Sequence, residues 1–128
     1  MKAQFRVLSM SMIAKLLIAL VALEHVYFLC VEMFMWTKPR TLAMFGMTPA
    51  QAEASKTLAA NMGLYNGFLV AGLAWSLVAP SEFARLIAVF FLSCVAIAGV
   101  FGGLTASRRI LYVQAVPAVI GLVVVLAT

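Results

Sequence analysis

The sequence predicts an all-α fold, a four-transmembrane-helix up-and-down bundle integral to a membrane, in a single domain over residues 1–128. Two observations carry that prediction. The first is composition: 66% of residues are hydrophobic and 10% charged, with a mean hydropathy of +1.12. Soluble domains hold ~45–50% apolar and ~25% charged residues, and a chain this apolar has too few polar groups to cover a surface in water. The second is pattern. The apolar runs approach the ~20 residues that cross a bilayer as helix, and they do not alternate as barrel strands would. In hydrocarbon every backbone polar group needs an internal partner, so unbroken apolar runs of this length become helices.

The first span is read over residues 12–36. A charged start at Lys2 and Arg6 followed by an apolar segment imitates a signal peptide, but hydrophobicity continues past signal length with no small-residue cleavage site. Lys15 can snorkel at its start, and Trp36 suits an interfacial aromatic belt at its end. Pro39 disfavours helix in the residue before it and stops the run. Residues 41–47 form a short connector expected to lie along the interface. Thr48-Pro49-Ala50-Gln51 is a helix start, with Thr as cap, Pro first and Gln third. The second span follows over 57–79.

Pro80-Ser81-Glu82 reads as a turn with Ser81 as cap and Glu82 at the positive end of the third span, 83–104. The fourth span, 110–127, holds Pro117, which should deform it because the Val113 carbonyl loses its donor. Four spans place both termini on one side. That side carries Lys2, Arg6, Lys15 and Arg85, against Lys38, Arg40, Lys56, Arg108 and Arg109 on the other, so four basic residues face five. This balance selects no orientation by the positive-inside rule. It admits one fixed topology or, as the alternative, the dual insertion an antiparallel dimer needs.

Several function classes fall away. The net charge of +5 is spread over the ends of apolar runs, without the dense basic patch of a nucleic-acid binder. Cys30 and Cys94 lie singly in apolar runs, which argues against a disulfide or zinc site. One histidine beside scattered Met33, Met35, Met44 and Met47 lacks metal- or haem-ligand spacing. No metal and no cofactor are expected.

What remains is a polar cluster in apolar surroundings. Of four acidic residues, Glu24 and Glu32 lie inside the first span together with His25, the only histidine. Each ionisable group at membrane depth costs about 2.5–3.5 kcal/mol on insertion scales, so the default reading is a functional site. His25 and Glu32 are seven residues apart, hence on one helical face and about 10.5 Å apart along the axis. Trp36 continues that stripe and Glu24 flanks it by about 100°. The second span offers orienting hydrogen bonders: Asn61 and Tyr65, paired at four residues' spacing and expected opposite the stripe, and Asn66, expected to point elsewhere. Gln114 on the fourth span is one more.

The leading reading makes Glu24, His25 and Glu32 the proton-active or ligand-binding groups of a site that binds or translocates an unknown small molecule. The alternatives are an intramembrane acid–base enzyme on a lipid-soluble substrate and a purely structural network fixing helix register. Transport requires a gradient and an enzyme does not; a structural network changes stability alone when its carboxyls are removed. Small-residue ladders at Ala59, Gly63, Gly67 and Ala71, and at Gly99 and Gly103, mark close helix contacts, either within the chain or in a homo-oligomer. Membrane lipid is the remaining expected partner, with no nucleic acid.

The runs Ala22-Leu23-Glu24-His25, Glu32-Met33-Phe34-Met35-Trp36, Leu58-Ala59-Ala60-Asn61 through Gly72, and Ser107-Arg108-Arg109-Ile110-Leu111 with Gln114 and Pro117 resemble the small bacterial membrane proteins grouped as domain of unknown function 1304. The resemblance covers nearly the whole chain. Met62 departs from it, standing where a more polar residue is expected. The resemblance implies a multi-pass, four-span protein of the bacterial inner (cytoplasmic) membrane, and no particular activity.

Overall fold

A computed structural model describes residues 9–128; the leading charges Lys2 and Arg6 lie outside the described residues. Five helices follow in order: α1 Met12–Phe34, α2 Pro39–Phe45, α3 Pro49–Val78, α4 Ser81–Thr105 and α5 Arg108–Ala127. Among the described residues there is no strand.

Among the described residues three helices, α1, α4 and α5, are long and apolar enough to cross a membrane, which is the make-up of a membrane protein. Four spans were expected, and α3 is the correction. Its 30 residues are ample in length, and it starts eight residues before the expected span 57–79. Composition sets it apart, because Gln51, Glu53, Ser55, Lys56 and Thr57 open it and Asn61, Tyr65 and Asn66 follow inside. Those side chains dilute an otherwise apolar second half.

The caps are local chemistry. Thr48 and Gln51 form a reciprocal box: the Thr48 amide donates to Gln51 Oε1 at 2.9 Å, and the Gln51 amide donates to Thr48 Oγ1 at 3.2 Å. The connector expected over 41–47 is largely the short helix α2. Gly46 closes it at φ 63°, a left-handed conformation that glycine adopts without a Cβ penalty. The Gly46 and Met47 amides both donate to the Leu42 carbonyl there. At α4 the cap position belongs to Pro80 and not to Ser81, which is already helical; Glu82 does lie in the first turn. In α5 the deformation expected from Pro117 takes a specific form. Residues Leu111–Ala115 are wound as π-helix, and the Val116 amide reaches back to the Leu111 carbonyl. That wider turn sits directly before the proline, where an ordinary helix would press the ring against the Val113 carbonyl.

The chain divides into two compact units, one of residues Leu23–Val70 and one of Ala71–Thr128 with the start of α1. In the second of these, α4 buries Ala84, Ala88, Leu92, Val95, Ala96, Gly99 and Gly103, a stripe at helical spacing. The stripe is mostly small residues, and the large ones, such as Phe90, Ile97, Phe101 and Leu104, point outward. Lipid-solvated bundles have this distribution, since hydrocarbon solvates the outside and small residues let backbones approach. The approach is close: a Cβ on Gly99 would lie 2.6 Å from the Ala115 backbone nitrogen, and one on Gly103 would lie 2.6 Å from Leu111 Cβ. These glycines, considered above as an oligomer face, are occupied by contacts within the chain.

Candidate functional site

All the candidate residues except Gln114 fall in the unit Leu23–Val70, which contains the second half of α1, all of α2 and most of α3. Gln114 belongs to the other unit, half-buried on the π-wound turn of α5.

Within this unit α1 and α3 run antiparallel, and glycine sets their distance. A Cβ on Gly63 would sit 2.5 Å from Met33 Cγ, 3.1 Å from Glu32 Cβ and 3.2 Å from the Leu29 carbonyl oxygen. One on Gly67 would come within 3.1 Å of Leu29 Cδ1. The ladder Ala59–Gly63–Gly67 therefore seats α1, and this glycine pair too is occupied within the chain.

At that close approach the polar groups meet. Asn66 Nδ2 donates to Glu32 Oε2 at 2.8 Å, joining α3 to α1. One turn and more along, Trp36 Nε1 donates to Ser55 Oγ at 3.0 Å, and the Ser55 hydroxyl donates to the Gln51 carbonyl at 2.8 Å. Trp36 stands just beyond the end of α1 rather than within a helix reaching residue 36, and its ring lies 5.2 Å from that of Phe45 on α2. Tyr27 Oη approaches Met44 Sδ at 3.8 Å, a further contact between α1 and α2.

The expected partners of the stripe change places. Asn61 is exposed and its amide returns to the Thr57 carbonyl of its own helix at 2.9 Å. Tyr65 is 60% exposed, its ring beside Phe68. The reason is helical phase: each is two residues from Gly63, about 200° around the helix and so on its back. Asn66, three residues beyond Gly63, is the group that faces α1. Ser55 was missed altogether, although it sits four residues before Ala59 and continues the same small-residue ladder. That spacing was the available signal.

His25 is fully buried, with the Phe28 ring edge-on at 5.3 Å. Its neighbour Glu24 is half-buried, and the two carboxyls differ sharply. Glu32 has an amide donor, whereas Glu24 Oε2 is buried and accepts no hydrogen bond from the described residues. A buried acceptor without a donor forfeits about 1–3 kcal/mol of solvation, more if charged. The arrangement thus sets a carboxyl oxygen that accepts no hydrogen bond from the described residues next in sequence to a buried imidazole.

The sequence model of a family described as "Protein of unknown function (DUF1304)" matches residues 19–126. A curated relative, "Uncharacterized protein YpaA" of Lactococcus lactis subsp. lactis (strain IL1403), is 29% identical over 119 residues, spanning 89% of this chain and 97% of the relative. No solved structure matches the chain.

Proposed function

The chain belongs to this family of unknown function, and on that premise we propose that it is a multi-pass protein of the bacterial cytoplasmic membrane that binds, and by proton exchange translocates, a small cationic or hydrogen-bond-donating molecule at Glu24 and His25. The observation that carries the reading is the Glu24 carboxyl: an oxygen buried in an apolar helix with no donor from the described residues. Buried polar groups are ordinarily satisfied, and one that is not calls for a reason. A ligand N–H or a cation supplies the missing partner. On this reading His25, the next residue along α1 and fully buried, takes or returns the proton. On this reading α3 enters the bilayer alongside α1. Support comes from the glycine ladder and the Asn66–Glu32 bond, which give its polar side chains something other than lipid to meet.

A second, structural reading is favoured by a separate observation for one half of the site. Glu32–Asn66 and Trp36–Ser55 are cross-helix bonds of the kind that fix register. We therefore assign Glu32 and Trp36 to holding the unit together and Glu24 and His25 to the ligand. The test is to purify the wild-type protein, Glu24→Met and Glu32→Met in parallel and identify co-purifying small molecules by mass spectrometry. A cationic or donor-rich species held by the wild type and lost from Glu24→Met is the expected result. Identical profiles for wild type and Glu24→Met would leave the polar cluster a structural network only.

A further inference from the structure

The segment joining α1 to α3 carries two basic residues that the proposed site does not use. Lys38 and Arg40 flank Pro39 at the start of α2, both exposed. Among the described residues neither makes an ion pair; the pair present joins Lys56 to Glu53 on α3. The first turn of α2 contains no acidic residue. Beside these cations the same segment exposes apolar side chains, Met44 at 40% and Phe45 at 52%, while Thr41 is buried. Trp36 lies against Phe45 with its indole nitrogen committed to Ser55. This segment follows directly on Phe34, the end of a helix long and apolar enough to span, so it emerges where hydrocarbon gives way to headgroups.

We propose that the Trp36–Phe45 segment is an interfacial anchor that selects anionic phospholipid headgroups, with Lys38 and Arg40 on the phosphates and Met44 and Phe45 in the acyl boundary. Charge complementarity commits the surface to an anionic lipid. Two uncompensated cations at headgroup depth favour a negative leaflet, and the adjoining apolar side chains give the segment a reason to remain there when no soluble anion would hold it. The proposal rests on the membrane reading of α1 and is independent of what Glu24 binds.

The chain has two tryptophans, so Trp75→Phe leaves Trp36 as the sole reporter. That protein is reconstituted into phosphatidylcholine vesicles carrying a minor fraction of either brominated phosphatidylglycerol or brominated phosphatidylcholine. The two quenching curves give a relative association constant. The expected value favours phosphatidylglycerol by about fivefold or more, one basic residue at an anionic surface being worth about that factor. It should fall toward unity in Lys38→Gln/Arg40→Gln and at high salt, and stay unchanged in Lys56→Gln. Equal quenching by both lipids would overturn the proposal, as would a preference that survives the double substitution. So would relief of quenching by inorganic phosphate, which would reveal a soluble-anion site instead.

Discussion

The two compact units solve one packing problem by different means. In the unit containing α4 and α5, glycines mark the closest approaches between helices, Gly72 on the Phe91 ring, Gly99 on the Ala115 backbone and Gly103 on Leu111. In the unit Leu23–Val70, a glycine contact is accompanied by side-chain hydrogen bonds between elements, Asn66 to Glu32 and Trp36 to Ser55. Small-residue packing suffices to hold apolar helices in lipid, so polar groups at depth are not needed for that purpose. The difference teaches where to look for function. In the polar unit Glu24 Oε2 is the buried acceptor that the described residues leave without a donor.

The comparison breaks most visibly at Gly99. In Gly99→Ala the new Cβ would sit within 2.8 Å of three atoms of Ala115, two of them backbone, so α4 and α5 must separate. We expect a loss exceeding about 3 kcal/mol, the upper end of ordinary overpacking, seen as a collapsed melting temperature in detergent. Gly63→Ala should cost less, about 1–2 kcal/mol in the same assay, because its nearest obstacle is the flexible side chain of Met33. A larger loss at Gly63 than at Gly99 would invert the comparison.

Smaller effects sharpen the polar half. Asn66→Ala removes the donor to Glu32 and should destabilise by about 0.6–1.7 kcal/mol, the range measured for polar contacts between membrane helices. Asn61→Ala, on the back of α3, should be close to neutral. Trp36→Phe loses one neutral hydrogen bond, about 0.5–1.5 kcal/mol, Ser55→Ala loses that bond and its own to the Gln51 carbonyl, and a double-mutant cycle between them should show clear coupling. Additivity would mean that the bond contributes nothing in detergent.

Much of this was legible beforehand, and the failures have physical causes. Helix α1 and the Thr48–Gln51 cap follow from hydropathy and local hydrogen bonding, both written in neighbouring residues. The expectation of a site at Glu24, His25 and Glu32 rests on solvation cost. The partners of that stripe were misread because Asn61 and Tyr65 were judged by their spacing to each other. Their phase to the glycines decides which face of α3 meets α1, and it selects Asn66 and Ser55. Four spans were expected where composition marks three, because α3 is long enough to cross but carries Asn61, Tyr65 and Asn66 among its apolar residues. The π-wound turn at Leu111–Ala115 answers to Pro117, but whether a proline is met by a kink, a lost bond or a widened turn depends on the packing of the neighbouring helices.

The central claim is that the fold uses Glu32 and leaves Glu24 for a ligand. Thermal unfolding of Glu24→Met and Glu32→Met in the same detergent tests it most directly, since methionine replaces each carboxyl with an apolar chain of similar length. Glu32→Met strands the Asn66 amide and should be destabilised, whereas Glu24→Met removes a buried acceptor without a donor and should be as stable as the wild type or more so. Equal destabilisation of the two variants would contradict the division of roles and make both carboxyls parts of the structural network.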